Sequence, residues 1–594
     1  MTERINWIDW AKSITVTPYA ALMFPIINLL FMHYSFVLKG LYNGEMHAFM
    51  PIVNLFSIVL DVAVVFLFFL CLTKGKKNLS VHLTFILTLI WSFSNILYSR
   101  FFYQCLSISA LNQASNVFDG LVIKSIFAGF EWSDCFFVLW PAIYIIVALK
   151  KRSIVNITQS ASKEDFILFT IMPLASFALS ISTYSIYHFS SPHFRHHPEL
   201  YWAQLNEYVL NPLKFKSVMP VNAQFISGSV RYIILEIADE FAIWELTNNE
   251  IEQIKKETQN SRQWNTRHKV NPQIKNVVYI LLESFLSVSS DLFVDGKEIT
   301  PFLNRLKKDS NTYYNGKIRP NITIGESGDG QLIYMSGLLP LRNKITVGIA
   351  KNRTLKGLPQ MLKDKFGIDY TEIIIPNSPV LWEQRYMNKC YGIDKMYSSE
   401  DAEDSFSFFI SEEKVFSLAK RTGKETKQPF FSMVLGISTH QPYTEPIDKD
   451  FSLEDSNLPA PYLNYLNACH YADKQIESYL SFLKEKNIYD NSLIVIVSDH
   501  HPHIDQLHME GKVASYLPLY IINSGIDVKT MYNGIANQLD VYTTVLDILG
   551  IEGEWHGLGH TLLCPQYENS VDDTKYVLSE KIIMGDYFKK LSNN

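Results

Sequence analysis

The feature that most constrains this chain is a set of five long apolar runs within its first 190 residues. A helix needs about 20 apolar residues to cross roughly 30 Å of hydrocarbon. The intervening stretch 100–132 is interrupted by charged and polar residues, and we interpret it as loop helices outside the cytoplasm. The runs themselves predict five transmembrane helices, at about 14–38, 50–73, 80–99, 134–150 and 164–188.

Lysine and arginine predict the orientation of these helices. Basic residues cluster before the first run, between the second and third, and between the fourth and fifth, whereas the opposite loops carry few. Because cytoplasmic loops are enriched in Lys and Arg, we expect that side to be cytoplasmic. An odd number of spans then predicts a multi-pass protein of the cytoplasmic membrane whose remaining domain is extracytoplasmic.

The composition agrees with a chain divided between membrane and water. Hydrophobic residues make up 47% of its 594 residues and charged residues 19%, and charge is spread through the part after residue 250. The net charge of −6 gives no reason to expect a nucleic acid partner. We predict a five-helix transmembrane domain at 1–189, a juxtamembrane helical connector at 190–272 and an extracytoplasmic catalytic domain at 273–594.

Two features of the membrane half leave alternatives open. Asp61 lies inside the second predicted span, where an acid marks either a functional site or polar helix packing. Within the connector, apolar residues at helical spacing predict an amphipathic helical segment across 222–260. We expect this segment to lie on the membrane surface or against the soluble domain.

From Asn276 onward, apolar strands alternate with helical patterns, which is typical of an α/β domain with a mainly parallel sheet. Polar residues just past the carboxyl ends of such strands line active sites. This rule selects Glu283, Ser438–His440 and Ser498–His501, which we expect to meet at one edge of the sheet. The strands are predicted at 277–282, 430–437, 493–497 and 517–522, and the helices at 300–308, 463–484 and 539–549.

Glu283, Asp499 and His500 offer two carboxylates and an imidazole, which suit a borderline divalent ion such as Zn²⁺ or Mn²⁺. A hydroxyl bound to such an ion loses its proton easily and becomes a nucleophile. Ser327, in the segment Gly-Glu-Ser-Gly-Asp-Gly, is the candidate. Each residue alone has a plainer structural explanation, as a cap or a turn residue. Their order and context together favour a site.

The motifs resemble the sulfatase-like domain of lipoteichoic acid synthases and related glycerophosphate transferases, in the sulfatase and alkaline phosphatase superfamily. The five-span head is also similar, so the likeness covers nearly the whole chain. The segments that carry the resemblance are Asn276–Phe285, Pro301–Leu306, Ser327, Ser336–Pro340, Ser438–Tyr443, Val497–His500, Asp540–Gly550 and Gly557–His560.

This resemblance implies that Ser327 is both nucleophile and metal ligand, beside Glu283, Asp499 and His500. It implies one divalent ion, with Mn²⁺ as the first candidate and Zn²⁺ or Mg²⁺ as alternatives. The residues that it assigns to substrate binding are His440, Trp382, Arg385 and His508.

Three positions depart from the family pattern. The nucleophile is Ser327 where the family usually has Thr, which keeps the hydroxyl and removes a methyl group. Glu326 replaces a Lys and is expected to put negative charge beside an anionic substrate. The family's Trp-x-Arg element becomes Trp-x-x-Arg here. Arg385 is therefore one residue further from Trp382 than the family pattern has it.

The implied reaction is metal-dependent transfer of a phospho-head group through a covalent phospho-Ser327 intermediate. The donor would be a membrane phospholipid, with glycerophosphate from phosphatidylglycerol as the first candidate. The acceptor would be a hydroxyl of a glycolipid, glycan or polymer. A phosphoethanolamine transferase and a sulfatase or phosphodiesterase stay open as alternatives, and so does a catalytically inactive membrane-bound binding or sensor protein.

Overall fold

The structure is a computed structural model of the chain, and its described residues form two compact units. Described residues up to 240 belong to the first unit, and those from 245 onward belong to the second. Most of the stretch 100–132, which was predicted to form loop helices, lies outside the described residues. The described residues are 19–39, 50–102, 105–107, 130–150, 159–190, 201–205, 209–210, 220–240, 245–260, 270–342, 344–379, 381–402, 409–425, 427–454, 458–502, 508–509, 512–513, 516–564 and 571–593.

The first unit contains five helices that are long and apolar enough to cross a membrane, which confirms the five predicted spans. With the short turns that precede two of them, these stretches are Ala20–Leu38, Met50–Leu72, Lys77–Arg100, Trp132–Leu149 and Lys163–Ser190. The helices of this unit are α1 (Met23–Leu38), α2 (Met50–Leu72), α3 (Lys77–Phe102), α4 (Phe136–Lys150), α5 (Lys163–Ser190), α6 (Tyr201–Leu205), α7 (Pro220–Ser227) and α8 (Ser229–Glu240).

The stretch 222–260 is helical, but in three pieces rather than one. Helix α7 ends at Ser227, α8 begins at Ser229, and a further helix follows in the second unit. Gly228 separates α7 from α8 with a φ of +77°, a left-handed conformation that favours glycine. A Cβ atom at this position would lie 2.8 Å from a carboxylate oxygen of Asp61, so only a residue without a side chain fits at the break.

One polar face of α2 satisfies the backbone groups exposed by this break. Asn54 Nδ2 and Ser57 Oγ each donate to one of the last carbonyls of α7, at 2.6 Å. The Asp61 carboxylate accepts from the first two N–H groups of α8, at 2.5 and 3.0 Å. Because free helix ends carry unpaired donors and acceptors, these contacts explain Asp61 as a helix-packing residue.

We expect the substitution Gly228→Ala to destabilise the full chain in detergent more than Gly75→Ala does. Both glycines have positive φ, so both substitutions incur a left-handed strain of about 1–2 kcal/mol. Only position 228 is crowded, because nothing lies within 4 Å of a Cβ atom at Gly75. Displacing Asp61 should therefore cost at least about 1.5 kcal/mol more. Thermal unfolding midpoints check this, and equal midpoints would contradict it.

The second unit is built on an eight-stranded sheet. The strands are β1 (Asn276–Leu282), β2 (Thr312–Arg319), β3 (Tyr370–Ile374), β4 (Lys395–Tyr397), β5 (Phe430–Leu435), β6 (Ser492–Ser498), β7 (Leu517–Ile522) and β8 (Ala536–Asn537). Their order across the sheet is β8-β2-β7-β6-β1-β5-β3-β4. Only β7 runs antiparallel to its neighbours within this sheet, so the sheet is mainly parallel, as predicted.

The two central strands, β1 and β6, are buried along their whole length, which explains their continuous apolar sequences. Two short antiparallel ladders, Phe293–Val294 with Lys297–Glu298 and His508–Met509 with Lys512–Val513, lie outside this sheet. The helices of this unit are α9 (Asn248–Asn260), α10 (Pro301–Leu306), α11 (Glu326–Ser336), α12 (Thr346–Ala350), α13 (Leu358–Phe366), α14 (Gln384–Tyr391), α15 (Glu412–Glu425), α16 (Ala460–Glu485), α17 (Asp540–Ile548), α18 (Asp573–Met584) and α19 (Tyr587–Asn593).

Candidate functional site

The candidate site begins where two neighbouring parallel strands end. The last residues of β1 and β6 are paired in register, Leu282 opposite Ser498. Glu283 and Asp499 follow them directly, so the fold brings the two carboxylates side by side. His500 comes next, and all three side chains are buried. The carboxyl ends of the strands therefore gather the predicted metal ligands at one edge of the sheet.

Ser327 completes this cluster from the first turn of helix α11. Its Oγ lies 3.2 Å from Glu283 Oε2 and 3.1 Å from His500 Nε2. The side chain is half-buried, whereas its acidic and imidazole neighbours are buried. The first N–H groups of a helix have no partner within it and favour anions. This hydroxyl therefore lies where a phosphate could approach both it and the helix N-terminus.

The orientation of the His500 ring follows from its backbone partner. Nδ1 lies 2.8 Å from the carbonyl oxygen of His501, which can only accept, so Nδ1 carries a proton and donates. In the neutral ring, Nε2 then carries no proton and can act as a ligand, and it lies 3.1 Å from Ser327 Oγ and 3.2 Å from Glu283 Oε1. A hydrogen bond of this kind on the far nitrogen is what orients metal-binding histidines.

Ser284 organises the acidic residues, and the sequence analysis did not select it. Its backbone N–H donates to Asp499 Oδ1 at 2.8 Å, and its Oγ donates to Glu283 Oε1 at 2.7 Å. Its φ of +48° is unusual for a residue other than glycine. Strained backbone of this kind clusters at functional sites. The only sequence signal was its position next to Glu283.

The three titratable groups change one another's pKa. Burial, followed by the charge on Glu283, raises the pKa of Asp499 above its usual range. Burial also opposes charge on His500, but Asp499 and Glu283 together raise its pKa. Burial opposes charge on Glu283, and the nearby His500 lowers its pKa. The ligand atoms of the three residues lie within 4.8 Å of one another, which suits Mn²⁺ or Zn²⁺.

A close approach of backbone to backbone joins α11 to the end of β6. A Cβ atom at Gly330 would lie 2.6 Å from the carbonyl oxygen of Asp499, so a side chain does not fit there. Gln538 Nε2 donates to the same carbonyl at 2.8 Å. The missing side chain of Gly330 therefore lets this helix lie directly against the end of β6.

Glu326 does not have the expected surroundings. Its side chain is buried, and its Oε2 lies 3.6 Å from His500 Nδ1, on the side of the ring away from Ser327. Its φ of +45° turns the chain just before Ser327. The negative charge therefore lies behind the imidazole, where it favours a proton on Nδ1.

The structure brings two of the predicted substrate residues toward this cluster. His440 follows the end of β5 and is near enough to Glu283 to lower the pKa of that carboxyl, after the larger effect of His500. The ring of Trp382 packs against Gly328, the residue that follows Ser327. A Cβ atom at Gly328 would lie only 3.2 Å from Trp382 Cε3. His440 therefore borders the acidic cluster, and Trp382 borders helix α11.

The other two predicted substrate residues are placed differently. Arg385 is exposed, and its guanidinium lies 3.9 Å from the carboxylate of Glu400. Among the described residues, no hydrogen bond or ion pair joins Arg385 to Ser327 or to the acidic cluster. The backbone of His508 forms a short hairpin, but its side chain lies outside the described part of the chain.

Comparison with known proteins connects both halves of the chain to one group. A family model described as the lipoteichoic acid synthase N-terminal domain matches residues 1–201, and the sulfatase family model matches residues 275–551. Lipoteichoic acid synthase 2 of Bacillus subtilis is 26% identical over 504 residues, which are 80% of this chain and 73% of that protein. The lipoteichoic acid synthase of Staphylococcus aureus is 26% identical over 561 residues, which are 88% of this chain and 79% of that protein.

A solved membrane protein shares the fold over most of the chain. It is the integral membrane lipooligosaccharide phosphoethanolamine transferase A of Neisseria meningitidis, with a TM-score of 0.54 and 12% identity. The alignment covers 90% of this chain and 95% of that one. Five apolar helices and membrane-protein relatives identify a membrane-embedded protein. The chain is a lipoteichoic acid synthase-like phosphotransferase of the sulfatase superfamily.

Proposed function

We propose that this enzyme transfers glycerophosphate from phosphatidylglycerol to a hydroxyl acceptor through a covalent phospho-Ser327 intermediate. The observation that carries the proposal is the position of Ser327 Oγ, within 3.2 Å of Glu283 and His500 at a helix N-terminus. A hydroxyl beside a carboxylate, at the positive end of a helix dipole, suits attack on a phosphodiester. Relatives named lipoteichoic acid synthases support the glycerophosphate head group.

In the proposed reaction, Ser327 Oγ attacks the phosphorus and gives its proton to the Glu283 carboxylate, whose Oε2 accepts from Ser327 Oγ at 3.2 Å. The bond between phosphorus and the diacylglycerol oxygen breaks, and diacylglycerol leaves after taking up a proton. A hydroxyl of the acceptor then attacks the phospho-serine, and its proton returns to Ser327. The acceptor, a glycolipid, glycan or growing polymer, carries the glycerophosphate away.

Glu283, Asp499, His500 and Ser327 would hold one divalent ion, with Mn²⁺ as the first candidate. When bound, such an ion polarises a phosphoryl oxygen and makes a nearby hydroxyl more acidic. The donor set supports this assignment, because the ligand atoms of two buried carboxylates and an imidazole lie within 4.8 Å of one another. Zn²⁺ fits the same donors, and Mg²⁺ is a weaker match because it avoids nitrogen ligands.

His440 and Trp382 would contact the substrate next to Ser327. Arg385 is proposed to reach the phosphate only after it leaves the vicinity of Glu400. His508 stays a further predicted substrate residue. The extracytoplasmic side of the cytoplasmic membrane is the proposed location of the catalytic domain, 273–594, because the Lys and Arg bias puts the opposite side in the cytoplasm. The donor lipid would then come from the outer leaflet.

Donor identity tests the proposal directly. The full chain in vesicles of phosphatidylglycerol should release diacylglycerol, measured by mass spectrometry, and vesicles of phosphatidylethanolamine should yield little. The opposite preference would establish the phosphoethanolamine alternative. Release from neither lipid would refute head-group transfer from these phospholipids.

Replacing the nucleophile should abolish the reaction. We expect Ser327→Ala to lower diacylglycerol release at least about 1,000-fold, because the attacking oxygen is lost. Ser327→Thr keeps the hydroxyl and should retain measurable activity. Ser336→Ala, at the other end of α11, is the matched control and should behave like the unaltered enzyme. Full activity of the Ser327→Ala variant would remove Ser327 from this role.

Metal removal should have an equally clear effect. Chelation of the purified enzyme should stop diacylglycerol release, and Mn²⁺ should restore it. Affinity for the ion should rise with pH, because burial and Glu283 raise the pKa of Asp499, so a proton competes with the ion at lower pH. Elemental analysis should find no bound ion in Asp499→Ala, whereas Glu413→Ala, an exposed acid elsewhere, should bind it normally. An enzyme that contains no divalent ion and still releases diacylglycerol would contradict the proposed role of the ion.

A further inference from the structure

A buried carboxylate outside the proposed metal site binds the turn that follows β5. Glu412, the first residue of α15, is 1% exposed. Its Oε2 accepts from the backbone N–H groups of Ile437 at 2.6 Å and Ser438 at 2.8 Å. Its Oε1 lies so close to Gly436 that a Cβ atom there would be 2.7 Å away. The carboxylate is thus packed directly against the backbone of the turn.

That turn carries two groups of the candidate site. The N–H of His440 donates to the carbonyl of Ile437 at 2.9 Å, so the residue held by Glu412 also begins the turn that presents His440. Thr439 Oγ1 donates to the backbone carbonyl of Glu283. One side of the turn is therefore fixed to the end of β1 and the other side to Glu412.

Glu412 has a plainer role available, which its contacts do not match. An acidic residue at the start of a helix usually caps the N–H groups of its own helix. The Glu412 carboxylate instead accepts from a segment about 25 residues further along the chain, at the end of a different element. Hydrogen bonds from N–H groups to a carboxylate are shorter and stronger than those between neutral groups. They suit a clamp that must hold a loop in one position.

We propose that Glu412 is a positioning residue for the transfer reaction, which it supports by clamping the turn after β5 and so placing His440 against the substrate phosphate. The inference rests on the proposed function, in which His440 contacts that phosphate. Glu412 itself would touch neither substrate nor metal.

The test uses the full chain in nanodiscs of phosphatidylglycerol. Glu412→Ala should lower kcat/KM for diacylglycerol release by roughly 10- to 100-fold, as expected for losing two hydrogen bonds to a carboxylate. Glu412→Gln should lose less, because the amide oxygen can still accept. Glu413→Ala, the exposed neighbour on the same helix, should match the unaltered enzyme.

Two further measurements separate positioning from a general loss of structure. In a His440→Ala background, Glu412→Ala should reduce activity by no more than about twofold further, because the clamp acts through His440. Amide hydrogen exchange of the peptide that contains Ile437 and Ser438 should accelerate in Glu412→Ala and stay unchanged in Glu413→Ala. The thermal unfolding midpoint should change little.

Several outcomes would overturn the proposal. These are unchanged exchange in Glu412→Ala, faster exchange with full activity, and an equal loss of activity with and without His440. If the unaltered enzyme releases diacylglycerol from neither phosphatidylglycerol nor phosphatidylethanolamine, the proposed function fails by itself. The clamp is then judged by the exchange result alone.

Discussion

Glu283 and Asp499 lie side by side at the ends of two neighbouring strands, and both carboxylates are buried. Their ligand atoms lie within 4.8 Å of each other, and at an effective dielectric constant of about 20 two like charges at such a distance repel each other by at least about 3.5 kcal/mol. The raised pKa of Asp499 expresses this repulsion together with the cost of burial. A cation at this place removes the repulsion, and the surrounding contacts are arranged so that the two acids stay together.

The contacts around the acids explain several unusual local conformations. Asp499 Oδ1 accepts from the N–H groups of Ser284 and of His500, at 2.8 and 2.7 Å. The first of these bonds comes from the strained backbone of Ser284. Gly330 lets helix α11, which carries Ser327, lie against the same strand end. His500 in turn is oriented by the carbonyl of His501. Each of these features acts on the position of one ligand or of Ser327.

The membrane unit meets a different requirement with similar means. The break between α7 and α8 is buried, so its backbone N–H and C=O groups must find partners in the protein. Asn54, Ser57 and Asp61 supply them from one face of α2, where they lie among apolar neighbours. Asp61 thus serves packing in the first unit, whereas Asp499 lies at the proposed metal site in the second. Both are buried acids, and their partners distinguish them.

The sequence by itself determined the elements whose residues all face one environment. Long apolar runs predict membrane helices, and continuously apolar strands such as β1 and β6 predict the buried centre of a parallel sheet. The strand-end rule also selected Glu283, Asp499 and His500, because parallel strands must end at a common edge. Strands β2, β3, β4 and β8 were not predicted, because polar residues interrupt the first two and the other two are only three and two residues long.

Only the tertiary structure decided which side chains meet across long distances in the chain. It turned Glu326 toward the back of His500, separated Arg385 from the cluster, and joined Glu412 to a turn 25 residues away. It also divided one predicted amphipathic segment at Gly228, where Asp61 needs the space. Periodicity reports which face of an element is buried, whereas such contacts depend on how the elements pack, and local sequence does not encode that packing.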